Sequence, residues 1–409
     1  MKIGIGYTNL KDSFLSGAKV IKYALKNGKM KRPCLVIAFC SGTFDHKEFF
    51  EGMKSIVGNE IPIIGGSAIG IITNDYLSYE GYPAGAAIIE SDSVLLRIAS
   101  EEYLDENEKL ASMKLAKKIG AEKGDNALFI LYDSIKVPAS NDTPPVLNTS
   151  SNILEGIEQI LQAKTPVFGA GLIGDYMFGN TQQFCGSYVS SQSIVGLMIS
   201  GNITPCFRIM HGCTPLDGIY HKITDIKGSV IYKIDNQPVC NMIDEIYGTR
   251  KWRNQHPVNL LTIGVNHAKR FDDPVEKHYV NRLITGVVKN GDREGISLFE
   301  PDLEPGEKIQ FMLRDTTKMI ESAKKNSLEL LDQLKAENKK PLFALYIDCA
   351  GRAASKSHTL TEEASEIQNV FKKNNIPLLG FYSGVEIAPL LNKSRGLDWT
   401  GVLIVLSKG

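Results

Sequence analysis

Three places in the chain bring chemically capable side chains to matched positions. Cys40-Ser41-Gly42, Asp133-Ser134 and Asp348-Cys349-Ala350-Gly351-Arg352 each close a short apolar run, at 33–40, 127–133 and 341–349. Gly65-Gly66-Ser67, Gly169-Ala170-Gly171 and Gly380-Phe381-Tyr382 each close a second run that starts at an X-Pro pair. The groups on offer are hydroxyls, thiols, two aspartates and one guanidinium. Arg352 can clamp a carboxylate through two parallel hydrogen bonds, while Asp133, Asp348 or Glu386 can hold an ammonium, so the set suits a zwitterion. Asp348 and Arg352 can equally pair with each other. Cys40 and Cys349 invite thiolate attack, but no histidine stands in a recognisable relation to either, and buried cysteine is ordinarily a small apolar side chain. The seven histidines, His46, His211, His221, His256, His267, His278 and His358, form no His-x-x-x-His pair and the seven cysteines no Cys-x-x-Cys pair. Neither a metal site nor a disulfide framework is signalled. Haem stays open, since a b-type haem needs one axial histidine and an apolar pocket.

What must position these groups is a repeat. Ile61-Pro62-Ile63-Ile64-Gly65-Gly66 recurs as Thr165-Pro166-Val167-Phe168-Gly169-Ala170 and as Ile376-Pro377-Leu378-Leu379-Gly380-Phe381. Each copy follows an apolar run, a polar break and a helix-like segment, and each precedes another apolar run, at 84–89, 194–200 and 402–406. Short β-branched runs bounded by Gly and Pro read as buried strands, and two of them joined by a helix read as a parallel, right-handed crossover. The pattern predicts β-α-β-β three times, hence mixed sheets covered by helices in an α/β to α+β fold. In such units ligands sit outside the carboxyl ends of the strands. The expected ligand-binding residues are therefore Ser41, Gly65, Gly66, Ser67, Gly169, Asp348, Cys349, Arg352, Tyr382 and Glu386.

Between the repeats, a strand is expected at 3–7, a helix at 13–25, a hairpin turning at 91–93 and a helix at 105–124. A polar loop at 138–149, rich in Pro, Ser, Asn and Thr, is expected to be exposed and mobile. The texture changes at His211-Gly212-Cys213-Thr214-Pro215, beyond which short strands alternate with turns until a long helix at 317–335. This predicts two domains, 1–210 with two units and 211–409 with the third.

Forty-six basic and 46 acidic residues leave no net charge, so no bulk field favours nucleic acid or an anionic membrane. No window holds eighteen uninterrupted apolar residues and the start lacks the apolar core of a leader, so no membrane insertion is expected, and with unpaired cysteines the expected location is cytoplasmic.

The order and spacing of Gly65-Gly66-Ser67, Gly169-Ala170-Gly171, His211-Gly212-Cys213-Thr214-Pro215, Phe311-Met312-Leu313-Arg314-Asp315, Asp348-Cys349-Ala350-Gly351-Arg352 and Gly380-Phe381-Tyr382-Ser383-Gly384-Val385-Glu386 resemble the FIST N and FIST C domains over most of the chain. That resemblance implies a sensory module of microbial signal transduction that binds a small ligand such as an amino acid. It also implies an alternative, a haem-binding nitric-oxide sensor, while the thiols of Cys40 and Cys349 by themselves leave a cysteine-dependent hydrolase or transferase to weigh. Many relatives carry a kinase or other output module; none is recognisable here, which implies a separate signalling partner.

Overall fold

A computed structural model describes residues 1–122, 124–138, 145–161, 165–268 and 275–409. Half of the expected loop at 138–149, residues 139–144, lies outside the described residues. The chain starts with β1 (Lys2–Asn9), α1 (Ser13–Gly28), β2 (Leu35–Cys40), α2 (His46–Val57), β3 (Ile63–Ser67), the short strands β4 (Ile71–Thr73) and β5 (Leu77–Ser78), and β6 (Pro83–Glu90). The helices start where a side chain can satisfy their free N–H groups. Asp12 accepts from Leu15 N, and Asp45 accepts from Lys47 N and Glu48 N.

The same succession follows twice. The second copy has β7 (Val94–Glu101), α3 (Glu108–Ile119), β8 (Asp125–Asp133), a ribbon of β9 (Ile135–Val137) and β10 (Val146–Leu147), α4 (Ser150–Leu161), β11 (Val167–Leu172), β12 (Gln183–Gly186), β13 (Val189–Ser190) and β14 (Ile194–Gly201). The third begins with β15 (Thr204–Met210), just ahead of the change in texture at 211. An insertion follows: β16 (Cys213–Pro215), β17 (His221–Lys227), β18 (Val230–Ile234), β19 (Gln237–Pro238), α5 (Val239–Tyr247), β20 (Leu261–Asn266), β21 (Tyr279–Asn290), β22 (Arg293–Leu298) and β23 (Lys308–Arg314). The third copy then resumes with α6 (Thr316–Ala336), β24 (Lys340–Cys349), the single turn α7 (Ala354–Ser357), α8 (Glu363–Lys373), β25 (Leu378–Ser383), β26 (Val385–Leu390), β27 (Lys393–Leu397) and β28 (Gly401–Lys408).

In every copy the strand before the crossover helix and the strand after the X-Pro pair are parallel neighbours: β2 with β3, β8 with β11, and β24 with β25. The closing strand runs antiparallel on the other side. The outcome is three equivalent six-stranded mixed sheets, in the orders β1-β6-β2-β3-β12-β13, β7-β14-β8-β11-β26-β27 and β15-β28-β24-β25-β4-β5. Each short hairpin therefore belongs to a sheet other than that of its own copy: β4–β5 joins the third, β12–β13 the first and β26–β27 the second. The exchange is cyclic and ties the copies into one body. The hairpin expected at 91–93 does not form. β6 is occupied by β1 and β2 on both sides, and β7 pairs with β14 as an edge of the next sheet.

One face of all three sheets packs into a common apolar core, with Phe39, Leu131 and Ile347 at equivalent points, and each other face is covered by its own helix pair. The insertion closes on itself, because β23 pairs with both β17 and β20, and its barrel has a separate core containing Trp252, Ile263 and Phe311.

Candidate ligand site at the strand ends

The carboxyl ends of the parallel strands carry a layer of buried polar groups, one sector for each copy. In the first, Ser67 ends β3, and its hydroxyl stands 2.8 Å from His46 Nε2, while Gln182 N donates to Ser67 Oγ at 2.9 Å. His46 Nδ1 lies 3.0 Å from the Phe44 carbonyl, which places the ring proton on Nδ1 and makes Nε2 the acceptor of the Ser67 hydroxyl. Ser41 Oγ pairs with Thr43 Oγ1 at 3.0 Å. Gly65 and Gly66 lie inside β3 with φ of +135° and +145°. A Cβ on Gly65 would stand 1.7 Å from Ala38 O, and one on Gly66 2.2 Å from Gln182 O. These glycines permit close strand packing. In the second sector Gly169 does the same beside Ile130 O, at 2.0 Å. Asp133 accepts from Ile135 N and Gln192 N, each at 3.0 Å, and from the Thr181 hydroxyl.

The third sector is the most charged. Arg352 is fully buried. Its Nε donates to Asp348 at 3.1 Å and to Glu363 at 2.9 Å, and its Nη1 to the carbonyls of His211 at 3.1 Å and Trp399 at 2.9 Å. The guanidinium is thus the counter-charge of two internal carboxylates and ties the strand end to the start of the insertion. Tyr382 points to the helix side, where its hydroxyl donates to Glu362 at 3.0 Å. Glu386 comes from β26, accepts from Ser383 Oγ at 2.7 Å, and is fully buried. Cys349 is buried between these groups, and its thiol is pushed well up by burial and then by the charge of Glu386 and of Asp348. Burial likewise raises the carboxyl of Asp348, with the neighbouring charge of Glu363 adding to it, and that of Glu386, with Asp348 and Asp398 adding to it. Asp348 and Glu363 share this guanidinium, and Glu386 bonds to Ser383 instead.

The structure thus brings Asp348, Cys349, Arg352 and Glu386 into one neighbourhood, while Ser41, Gly65, Gly66, Ser67 and Gly169 serve contacts within the first two sectors. Sequence reasoning overlooked His46, Glu363 and Trp399. His46 and Glu363 open helices that follow a first strand, at which point a side chain points back over the strand end; that placement is the signal that could have found them. Nothing local marks Trp399.

His46 also carries a pH signature. Burial lowers its pKa from the usual value to about 4, against the pull of the Phe44 carbonyl. The folded state therefore refuses a proton that the unfolded chain accepts, so stability is whole above about pH 6.5 and falls as the pH drops toward 4, by about 3 kcal/mol from this one group. Asp398, pushed up to about 7 by burial against the pull of Arg282, acts in the opposite direction, its stability present at low pH and lost as the pH rises through 7. Comparing His46→Gln with the parent isolates the histidine. Urea titrations at about pH 7 and about pH 5 are expected to show roughly 2 kcal/mol less acid loss in the variant; equal losses would mean that His46 titrates freely in the fold.

Residues 34–237 match the FIST N domain and residues 242–389 the FIST C domain. The chain belongs to the FIST family. An uncharacterized protein of Methanocaldococcus jannaschii is 22% identical over 384 residues, an alignment covering 86% of this chain and 65% of that protein, so the chain spans less than two thirds of its relative's length. Among solved structures, a chorismatase is 11% identical with a TM-score of 0.33, covering 92% of this chain and 93% of that one. A cyanuric acid hydrolase from A. caulinodans is 10% identical with a TM-score of 0.35, covering 100% and 99%. Likenesses at these scores carry no argument about activity.

Within this FIST protein, the thiol chemistry weighed from sequence finds poor support in the residues. Four surface cavities of about 320 to 500 Å³ include no histidine among their described lining residues. Buried His46 is engaged through both ring nitrogens. Nucleophilic cysteine chemistry needs a stabilised thiolate, whereas Cys40 is raised by burial alone and Cys349 by burial beside carboxylates. No described helix is long and apolar enough to cross a membrane.

Proposed function

We infer that this chain, like other FIST domains, is a sensory part of signal transduction. We propose that this protein is a cytoplasmic sensor of a small ammonium-bearing molecule such as an amino acid, taken up in the third sector between Cys349, Ser383 and Glu386. The observation that carries this reading is a pair of buried groups left without a hydrogen-bond partner: Glu386 Oε2, an acceptor, and Ser134 Oγ, which can donate or accept. Buried polar atoms are normally satisfied, and a ligand or water completes those that the protein does not. Ser134 belongs to the same place, since a Cβ on Gly384 would stand 2.9 Å from its Oγ. Ser134 suits a carboxylate, and Glu386 beside Asp348 suits an ammonium. Arg352 then acts as a positioning group that fixes Asp348 and the strand end.

The inserted barrel closes over this layer. Glu300 accepts from the N–H groups of Ser150 and Ser151 at 2.9 and 3.1 Å, capping α4, and Arg282 Nη1 donates to Gly396 O at 3.0 Å. A ligand that binds the closed arrangement better shifts the population toward it, and a separate signalling protein reads the position of the barrel by contact.

Titration calorimetry with the twenty amino acids tests the reading. Burial raises the Glu386 carboxyl, and a bound ammonium favours its charged form, so uptake of the ligand favours proton release. Affinity is therefore expected to rise with pH, and the heat to vary with the ionisation enthalpy of the buffer. Glu386→Gln is expected to weaken binding by roughly tenfold or more, the worth of a charged hydrogen bond. If no amino acid binds or raises the melting temperature, this reading falls.

A further inference from the structure

The segment 173–182, which leads from β11 to β12, passes over the third sector. Asp175 turns it by accepting from Met177 N at 2.7 Å and Gly179 N at 3.2 Å. That turn sets the half-buried Tyr176 against the sector, with its hydroxyl donating to the Ala350 carbonyl at 3.1 Å, one residue beyond Cys349. The Lys356 ammonium lies 4.1 Å from the centre of the Tyr176 ring. Lys356 itself is exposed, on the single turn α7. Beside them Tyr79 and Tyr382 stand edge to face with centroids 5.9 Å apart, and their hydroxyls donate to the two oxygens of Glu362 at 2.7 and 3.0 Å.

A tyrosine face close to a carboxylate attracts an ammonium, primary or methylated. In this place the attracted cation is the protein's own. We propose that Tyr176, Tyr79 and Glu362 form an outer cation subsite, occupied in the resting protein by Lys356, and that an ammonium-bearing ligand displaces this lysine on its way to the inner sector. The proposal rests on the reading of the inner sector as the ligand site, and it adds the ligand's route and an internal competitor. Lys356 can leave at small cost, because an exposed ammonium regains its hydration when it swings into water. Arg352 cannot serve in this way, since it is enclosed and bonded on every side that the preceding contacts describe.

The test uses the whole 409-residue chain with tetramethylammonium as the probe, which has no carboxylate and reports the cation subsite alone. Its affinity is measured by calorimetry or by tyrosine fluorescence. Lys356→Gln removes the competitor and is expected to tighten binding roughly 5- to 30-fold, the span of one cation–π contact. Tyr176→Leu is expected to weaken it by a similar factor, and Tyr176→Phe, which keeps the ring and loses only the bond to Ala350, to restore most of it. Unchanged affinity in Lys356→Gln, or equal loss in the Leu and Phe variants, would overturn the subsite. The two readings fail separately. Amino-acid binding that responds to Glu386→Gln but not to Lys356 or Tyr176 leaves the inner site standing and removes the outer one; tetramethylammonium binding that follows Lys356 and Tyr176, with no amino acid bound, does the reverse.

Discussion

Replacing Arg352 by Met is expected to cost about 3–5 kcal/mol of folding stability, read as a fall in the urea midpoint, whether or not ligand is present. Methionine restores most of the volume, so the loss is one of charge. Asp348 and Glu363 would be left in the interior with no cation, and the carbonyls of His211 and Trp399 would lose the donor that bridges them. Removing one partner of a buried ionic cluster is worse than removing all of it, because the remaining charge keeps its desolvation cost. The double variant Arg352→Met with Glu363→Gln is accordingly expected to recover part of the loss. A melting temperature within a degree of the parent would show that the guanidinium is spare, and would return it to the role of a carboxylate clamp for a ligand.

The second large effect is expected at Gly65. Alanine there would place its Cβ 1.7 Å from the Ala38 carbonyl oxygen, in a backbone with φ of +135°. The obstacle is main chain on the adjacent parallel strand, so no rotamer relieves it, and β2 and β3 must separate in the middle of the first sheet. The loss is expected to exceed about 4 kcal/mol, in the range reserved for broken cores, and to appear as insoluble or unfolded protein. Gly58→Ala is the control. It too has positive φ, +82°, but nothing lies within 4 Å of the added methyl, and a cost of about 1 kcal/mol is expected. Equal melting temperatures for the two variants would make Gly65 an ordinary turn glycine.

How much of this was open to a reader of residues follows from the range over which each feature is decided. The three X-Pro repeats and the helix between each pair of strands are written in short windows of apolar spacing and Pro punctuation, and handedness then leaves parallel pairing as the stable solution; β2 with β3, β8 with β11 and β24 with β25 are that solution. The choice of partner for the hairpins is not written there. β4 pairs with Leu379–Phe381 some three hundred residues away, and its own sequence, Ile71-Ile72-Thr73, would suit any open edge. The failure of the expected hairpin at 91–93 has the same origin, since both flanks of β6 were already taken. At the site, residue type named Asp348, Cys349, Arg352 and Glu386 as neighbours of a strand end, because those groups follow apolar runs directly. Whether a guanidinium faces a ligand or two carboxylates depends on what is laid over it. Here that cover is Glu363 from a helix, His211 from the start of the insertion and Trp399 from the far end of the third copy, three segments with no local signal in common, and only their packing settled that Arg352 would be enclosed.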